Sequence, residues 1–208
     1  KYRHSAFIDI RDTVSEVFYQ SSAVKKWNGY RLLAVDGSTL TLPDTQPLLE
    51  HFGTANPQAI YPTVRISQLY DVLNKQTVDF QHASFDIGER ELAVRHLDKT
   101  AEKDLVLYDR GYTASWLFAL HNQRKNDFCC RVKSTFSNQI KRFSESSCND
   151  EIVDITHAQI SRRTCKELGL PTDSIKVRLV KFRLCTGEVE ILATSLLDKK
   201  KFSRKTLK

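Results

Sequence analysis

A chain of 208 residues can bury one sizeable core, or one core with an embedded subdomain. Its 40% hydrophobic and 27% charged residues exclude a disordered chain, and no apolar run approaches the ~20 residues needed to cross a bilayer. Lys and Arg outnumber Asp and Glu by 32 to 25, a net charge of +7 that favours a polyanionic partner such as nucleic acid.

Residues Ser5–Gln20 place Phe7, Ile10, Val14, Val17 and Phe18 at helical spacing, which predicts an amphipathic helix packed through that face. A polar break at Ser21–Ala23 follows. Tyr30–Val35 reads as a buried strand, Asp36-Gly37 as a turn, and Thr39–Leu42 as a short strand leaving it. Pro43–Pro62 holds four of the five prolines and reads as a loop with one helical turn at Pro47–His51. Alternating apolar residues over Thr63–Leu73 and Gln76–Ser84, joined through Asn74-Lys75, predict an antiparallel hairpin.

Asp86 with Glu89 resembles a capping box that opens a helix through Leu97. Asp104–Tyr108 is an apolar run that delivers Asp109 into a glycine-containing turn, and Thr113–Arg124 reads as a helix burying Trp116, Leu117 and Leu120. Asp127–Val132 is the next strand, so the order points to an α/β layer with parallel elements. Residues 134–150 are polar and serine-rich and mark a boundary. Beyond it, His157–Leu168 fits helix or strand equally, and Ser174–Leu184 with Glu188–Thr194 flank Thr186-Gly187 as a second hairpin.

Five cysteines without zinc spacing, a C-x-x-C pair or a signal peptide imply free thiols in a reducing compartment. The six histidines, His4, His51, His82, His96, His121 and His157, show no paired metal spacing and read as structural or surface residues. The chain carries no phosphate-binding glycine loop and no nucleophile elbow, which argues against a nucleotide hydrolase or an α/β hydrolase.

Asp36 and Asp109 stand out because each ends an apolar run, where side chains escape the core while the backbone stays rigid. Two such carboxylates converging in one crevice repel unless a divalent cation lies between them, and hard oxygen ligands suit Mg²⁺ or Mn²⁺. Taken singly, each aspartate also reads as ordinary turn chemistry.

The segments LLAVDGSTLTLP, DLVLYDRGY with a helix and a basic strand after it, and ILATSLLD before a Lys/Arg-rich stretch resemble the catalytic domain of bacterial insertion-sequence transposases of the DDE type. The resembling branch carries its third acidic residue in a Tyr-Arg-Glu-Lys helix. The resemblance runs from about Arg31 to Leu207 and implies an RNase H-like α/β fold, a mixed sheet with helices, with Asp36 on the first strand and Asp109 on the fourth as catalytic metal ligands. It divides the chain into a core over residues 1–133, a mainly β insertion over 134–195, and a C-terminal segment over 196–208 leading toward the catalytic helix.

The implied chemistry is two-metal phosphoryl transfer on DNA, with two Mg²⁺ or Mn²⁺ ions in the complete site. The implied partners are double-stranded DNA, both transposon ends and target, and a second copy of the full-length protein, in the bacterial cytoplasm at the nucleoid and with no membrane. Arg110, Arg131, Lys133, Lys141 and Arg142 are the candidate phosphate contacts, with Arg162, Arg163 and Lys166 further along; solvated surface charge explains any one of them equally well. Trp27 and Trp116 both lie outside the insertion, which leaves a DNA-hairpin route open. The absence of methionine and the basic run from Lys199 to Lys208 make the chain read as a fragment. Its third carboxylate is expected beyond Lys208, so that it is catalytically incomplete by itself. The alternative is a DNA-binding or assembly module that keeps the fold without catalysis.

Overall fold

The computed structural model describes residues 3–21 and 23–208; the side chain of His4 and part of the Ser21–Ala23 break lie outside the described residues. The described chain is mixed α/β, with six α-helices and eight β-strands, and divides into two compact units, one through Thr100 and the other from Ala101. All five cysteines are free thiols. None of the described helices is long and apolar enough to cross a membrane.

The first unit is built on a three-stranded antiparallel arrangement in the order β3 (Gln76–Ser84), β2 (Thr63–Asp71), β1 (Arg31–Thr41). The predicted hairpin forms β2 and β3. Buried Asp71 organises its turn, accepting from the Leu73 and Asn74 amides at 3.2 and 3.0 Å while Lys75 takes a left-handed φ of 55°. The proline-rich segment contains α2 (Gln46–Phe52), with proline in its first turn as the missing N–H allows. Leu33 and Val35 of β1, Val64 and Leu69 of β2 and Leu92 and Leu97 supply the core.

Three expectations change in this unit. Asp36-Gly37 is not a turn: β1 runs unbroken from Arg31 to Thr41, because β2 pairs with it along nine consecutive positions from Leu33↔Asp71 to Thr41↔Thr63. The predicted capping box does not form. Helix α3 (Glu89–His96) starts instead from Gly88, while the Asp86 carboxylate takes the Ser84 hydroxyl and Glu89 pairs with Arg65 at 3.0 Å. Helix α1 (His4–Ser21) is present, but most of its predicted packing face is exposed: Phe7, Ile10, Val14 and Val17 are each more than half exposed, and only Phe18 is half-buried. The docked side carries Arg11, Ser15 and Tyr19, which reach Asp79, the Thr77 carbonyl and Asp71 at 2.8, 3.3 and 2.8 Å. Hydrogen-bonding capacity, not hydropathy, sets this helix's orientation.

The second unit has five strands in the order β4 (Asp104–Tyr108), β5 (Asp127–Val132), β8 (Val189–Thr194), β7 (Ile175–Arg183), β6 (Asp150–Ile155). The β4–β5 pair is parallel, connected through α4 (Ser115–Arg124), and every other pair is antiparallel. Phe118 of α4 stacks on Phe128 of β5 with ring centres 4.3 Å apart, and Leu117 and Leu120 are buried while Trp116 is half-buried. The serine-rich stretch contains α5 (Asn138–Glu145), capped by the Ser137 hydroxyl accepting from the Ile140 amide at 3.2 Å. The undecided stretch after His157 is helical, α6 (Gln159–Glu167), burying Cys165 alone.

Candidate functional site

Asp36 is carried mid-strand on β1, with buried Leu33 and Val35 before it and its own side chain exposed. One carboxylate oxygen accepts the Gly37 amide at 2.9 Å, which leaves the second oxygen and the remaining lone pairs outward. On the buried side, the Ser67 hydroxyl of β2 donates to the Asp36 carbonyl at 3.3 Å. His96 of α3 stands behind Ser67, with Nε2 3.0 Å from Oγ and Nδ1 2.8 Å from Asp79 Oδ2. Asp79 also takes Gln81 at 2.6 Å and Arg11 at 2.8 Å. Burial alone would raise the Asp79 carboxyl, but the His96 and Gln81 hydrogen bonds and the two positive neighbours outweigh it and lower it to about 2.

Asp109 follows β4 directly and opens a 3-10 turn over Arg110–Tyr112, its carbonyl accepting the Tyr112 amide at 3.0 Å. Its side chain is 63% exposed and meets Arg131 Nη1 of β5 at 3.5 Å. Arg131 makes its tighter contact elsewhere: Nη2 lies 2.7 Å from Glu190 Oε2 on β8, and Arg110 approaches the same oxygen at 3.9 Å. Glu190 therefore draws two of the predicted phosphate-binding arginines into one cluster beside Asp109. The Nε atoms of both arginines are buried without a hydrogen-bond partner.

Tyr108, the residue before Asp109, is held from inside the unit. Its hydroxyl donates to His121 Nε2 at 2.9 Å, and His121 Nδ1 donates to Asn126 Oδ1 at 2.6 Å. These roles define a neutral imidazole, consistent with burial pushing His121 down to about 4 and Tyr108 well above its ordinary value.

Lys133 is exposed, as are Lys141 and Arg142 on α5 and Arg162, Arg163 and Lys166 on α6, where Arg163 pairs with Glu167 at 2.9 Å. No group of three or more His, Cys, Asp or Glu side chains gathers at metal-binding range among the described residues. The donor chemistry of Asp36 and Asp109 nonetheless fits a hard divalent cation, since both present outward carboxylate oxygens.

Sequence reasoning missed Glu190, Ser67, Asp79 and the buried roles of His96 and His121. Its one available signal was polar residues inside strands, Ser67 and Asp79, at positions that prove buried.

Comparison with known proteins gives a consistent result. The transposase InsG of insertion sequence element IS4 from Escherichia coli K12 is 24% identical over 197 residues, covering 90% of this chain and 42% of InsG. InsZ of the same strain, named as a transposase, is 28% identical over 102 residues, covering 47% of this chain and 34% of InsZ. The chain thus spans less than half the length of these curated relatives. A solved endonuclease V from Ciona intestinalis in complex with DNA aligns over 92% of this chain and 83% of its own, at 10% identity and a TM-score of 0.30, a likeness too loose to carry an argument. The mixed α/β architecture, with Asp36 on the first strand and Asp109 following the fourth, is consistent with an RNase H-like fold. The profile of the transposase DDE domain family matches residues 27–208, nearly the whole chain, and the chain belongs to that family.

Proposed function

We propose that this chain supplies the catalytic domain of a bacterial DNA transposase that cleaves and joins mobile-element ends in a divalent-metal-dependent reaction. The observation that carries the reading is the family match over residues 27–208, within which Asp36 and Asp109 both expose carboxylates beside buried strand segments. The family generally uses divalent metal ions, and the bacterial relatives point to the cytoplasm as the place of work.

In this reading Asp36 and Asp109 hold the metal. When bound, divalent ions activate a water or a 3′-hydroxyl for attack on the scissile phosphate and stabilise the leaving oxygen. Asp36 presents one lone-pair-rich oxygen because the Gly37 amide fixes the other. Asp109 presents its carboxylate with the Arg131 guanidinium 3.5 Å away. Arg110 and Arg131, with Lys133, Lys141 and Arg142, provide positive charge for phosphates of duplex DNA.

The test is Mn²⁺-dependent nicking of a labelled duplex carrying the element's end, by the full-length protein and its Asp36→Asn and Asp109→Asn variants. Cleavage that needs Mn²⁺ or Mg²⁺ and falls a hundredfold or so in each variant supports the reading. Metal-dependent cleavage unaffected by either substitution overturns it; DNA binding without cleavage in every form assigns the protein to a non-catalytic assembly role.

A further inference from the structure

Ser67, His96 and Asp79 form an Asp–His–Ser chain spread over three elements, β2, α3 and β3, all within the first unit. Its geometry has the reach of a nucleophilic triad, with contacts of 2.8 and 3.0 Å. Ser67 is only 1% exposed and His96 not at all, so no substrate carbonyl or phosphate can reach the hydroxyl. The chain has to be explained by what it does inside the protein.

We propose that Ser67, His96 and Asp79 are positioning residues that fix the main chain at Asp36, an inference that rests on the reading of Asp36 as a metal ligand. The first support is continuity. The Ser67 hydroxyl lies 3.3 Å from the Asp36 carbonyl and 3.0 Å from His96 Nε2, while the Asp79 carboxylate accepts from His96 Nδ1 at 2.8 Å. The contacts run without a gap from Asp79 through His96 and Ser67 to the backbone of Asp36.

The second support is local. Gly37, directly across the register from Ser67, brings no side chain to pack this part of β1, and a glycine inside a strand loosens it. The Ser67 bond ties down the residue before that weak point. The third support is cost: three groups, Arg11, Gln81 and His96, surround Asp79 where apolar residues would pack with no desolvation penalty. A fully satisfied polar network of this kind specifies one arrangement rather than adding bulk stability.

The experiment is Mn²⁺ binding to the purified chain, followed by the electron paramagnetic resonance of free Mn²⁺, together with thermal melting of each variant. Ser67→Ala removes the hydroxyl and leaves the ring, and its Mn²⁺ affinity is expected to fall about tenfold or more with a cooperative melt retained, as for other residues that support a metal ligand. Ser67→Thr restores the hydroxyl and is expected to recover most of that loss. Ser67→Cys keeps the volume while weakening the donor, and carries the same expectation if the alanine variant fails to fold.

A folded Ser67→Ala or Ser67→Cys protein that binds Mn²⁺ as the parent does overturns the proposal. Asp36→Asn separates the two levels. If it leaves Mn²⁺ binding unchanged, the reading of Asp36 as a ligand falls and takes this inference with it. If it abolishes binding while the Ser67 variants have no effect, the positioning role alone falls.

Discussion

Arg178 of β7 and Asp150 of β6 form a two-pronged ion pair, Nε to Oδ1 at 2.9 Å and Nη2 to Oδ2 at 2.7 Å, although the Arg178 side chain is wholly buried. Its remaining amine reaches the Leu196 and Phe202 carbonyls at 3.2 and 2.7 Å, so one guanidinium joins two strands to the segment after β8. Burial would raise the Asp150 carboxyl, but Arg178, with help from Lys199, holds it below the ordinary carboxylate range.

Replacing Arg178 by Ala is expected to destabilise the chain by about 3–5 kcal/mol, because it removes the buried guanidinium from Asp150 and from the Leu196 and Phe202 carbonyls at once. The double variant Arg178→Met, Asp150→Leu should recover much of that loss, since it removes both charges together. Urea denaturation followed by circular dichroism measures both. A single-variant loss under about 1 kcal/mol would contradict the central role given to this arginine.

Lys181 makes a similar internal contact at lower charge. Its ammonium donates to the carbonyls of Phe143, Ser144 and Ser146 at 3.2, 3.2 and 2.7 Å, closing the C-terminal end of α5 where cations are favoured. Lys181→Met should cost about 1–3 kcal/mol and raise amide exchange in the last turn of α5 more than in β5. Equal exchange in both elements would point to a global effect instead.

His121 gives stability a pH dependence with a definite sign. Its folded value is lowered to about 4, against an ordinary value near 6.5, so between those limits the unfolded chain binds the extra proton. Stability from this group is present above about pH 6.5 and drains as the pH falls toward 4, by up to about 3 kcal/mol. Burial lowers His157 in the same direction and adds to the trend. Asp79 acts further down, its contribution being lost as the pH falls from about 4 to about 2. Melting temperatures between pH 7 and pH 4 should decline, and His121→Gln should flatten the upper part of that decline.

Glu190 holds Arg131 at 2.7 Å, and under the proposed function a phosphate reaching Arg131 would compete with that carboxylate. Glu190→Gln is expected to raise affinity for duplex DNA, and Arg131→Ala to lower the slope of log affinity against log salt by about one. Fluorescence anisotropy between about 50 and 200 mM salt reads both effects. An unchanged slope in Arg131→Ala would remove that residue from the DNA contacts.

Local pattern revealed the elements better than their faces. Asp104–Tyr108 and Asp127–Val132 were legible as strands to the residue, because each is a short apolar run bounded by polar residues. Asp36-Gly37 misled because the dipeptide favours turns; pairing with β2, some thirty residues away, overrides that preference. The apolar stripe of α1 misled for the opposite reason, since Arg11, Ser15 and Tyr19 dock by hydrogen bonds that hydropathy does not register. Asp36 and Asp109 were readable as carboxylates beside apolar runs, though not that Asp36 sits within its strand. Ser67, Asp79, His96 and Glu190 were not, because their roles depend on partners 17 to 68 residues distant, beyond the reach of any periodicity.

The unbroken course of β1 gives the two aspartates unequal compliance. Asp36 has paired residues of β1 before and after it, Leu33–Val35 and Gly37–Thr41, so its backbone direction follows from the pairing of β1 with β2. Asp109 has a strand on one side and a short turn on the other, so its backbone is held by the ladder from the N-terminal side alone.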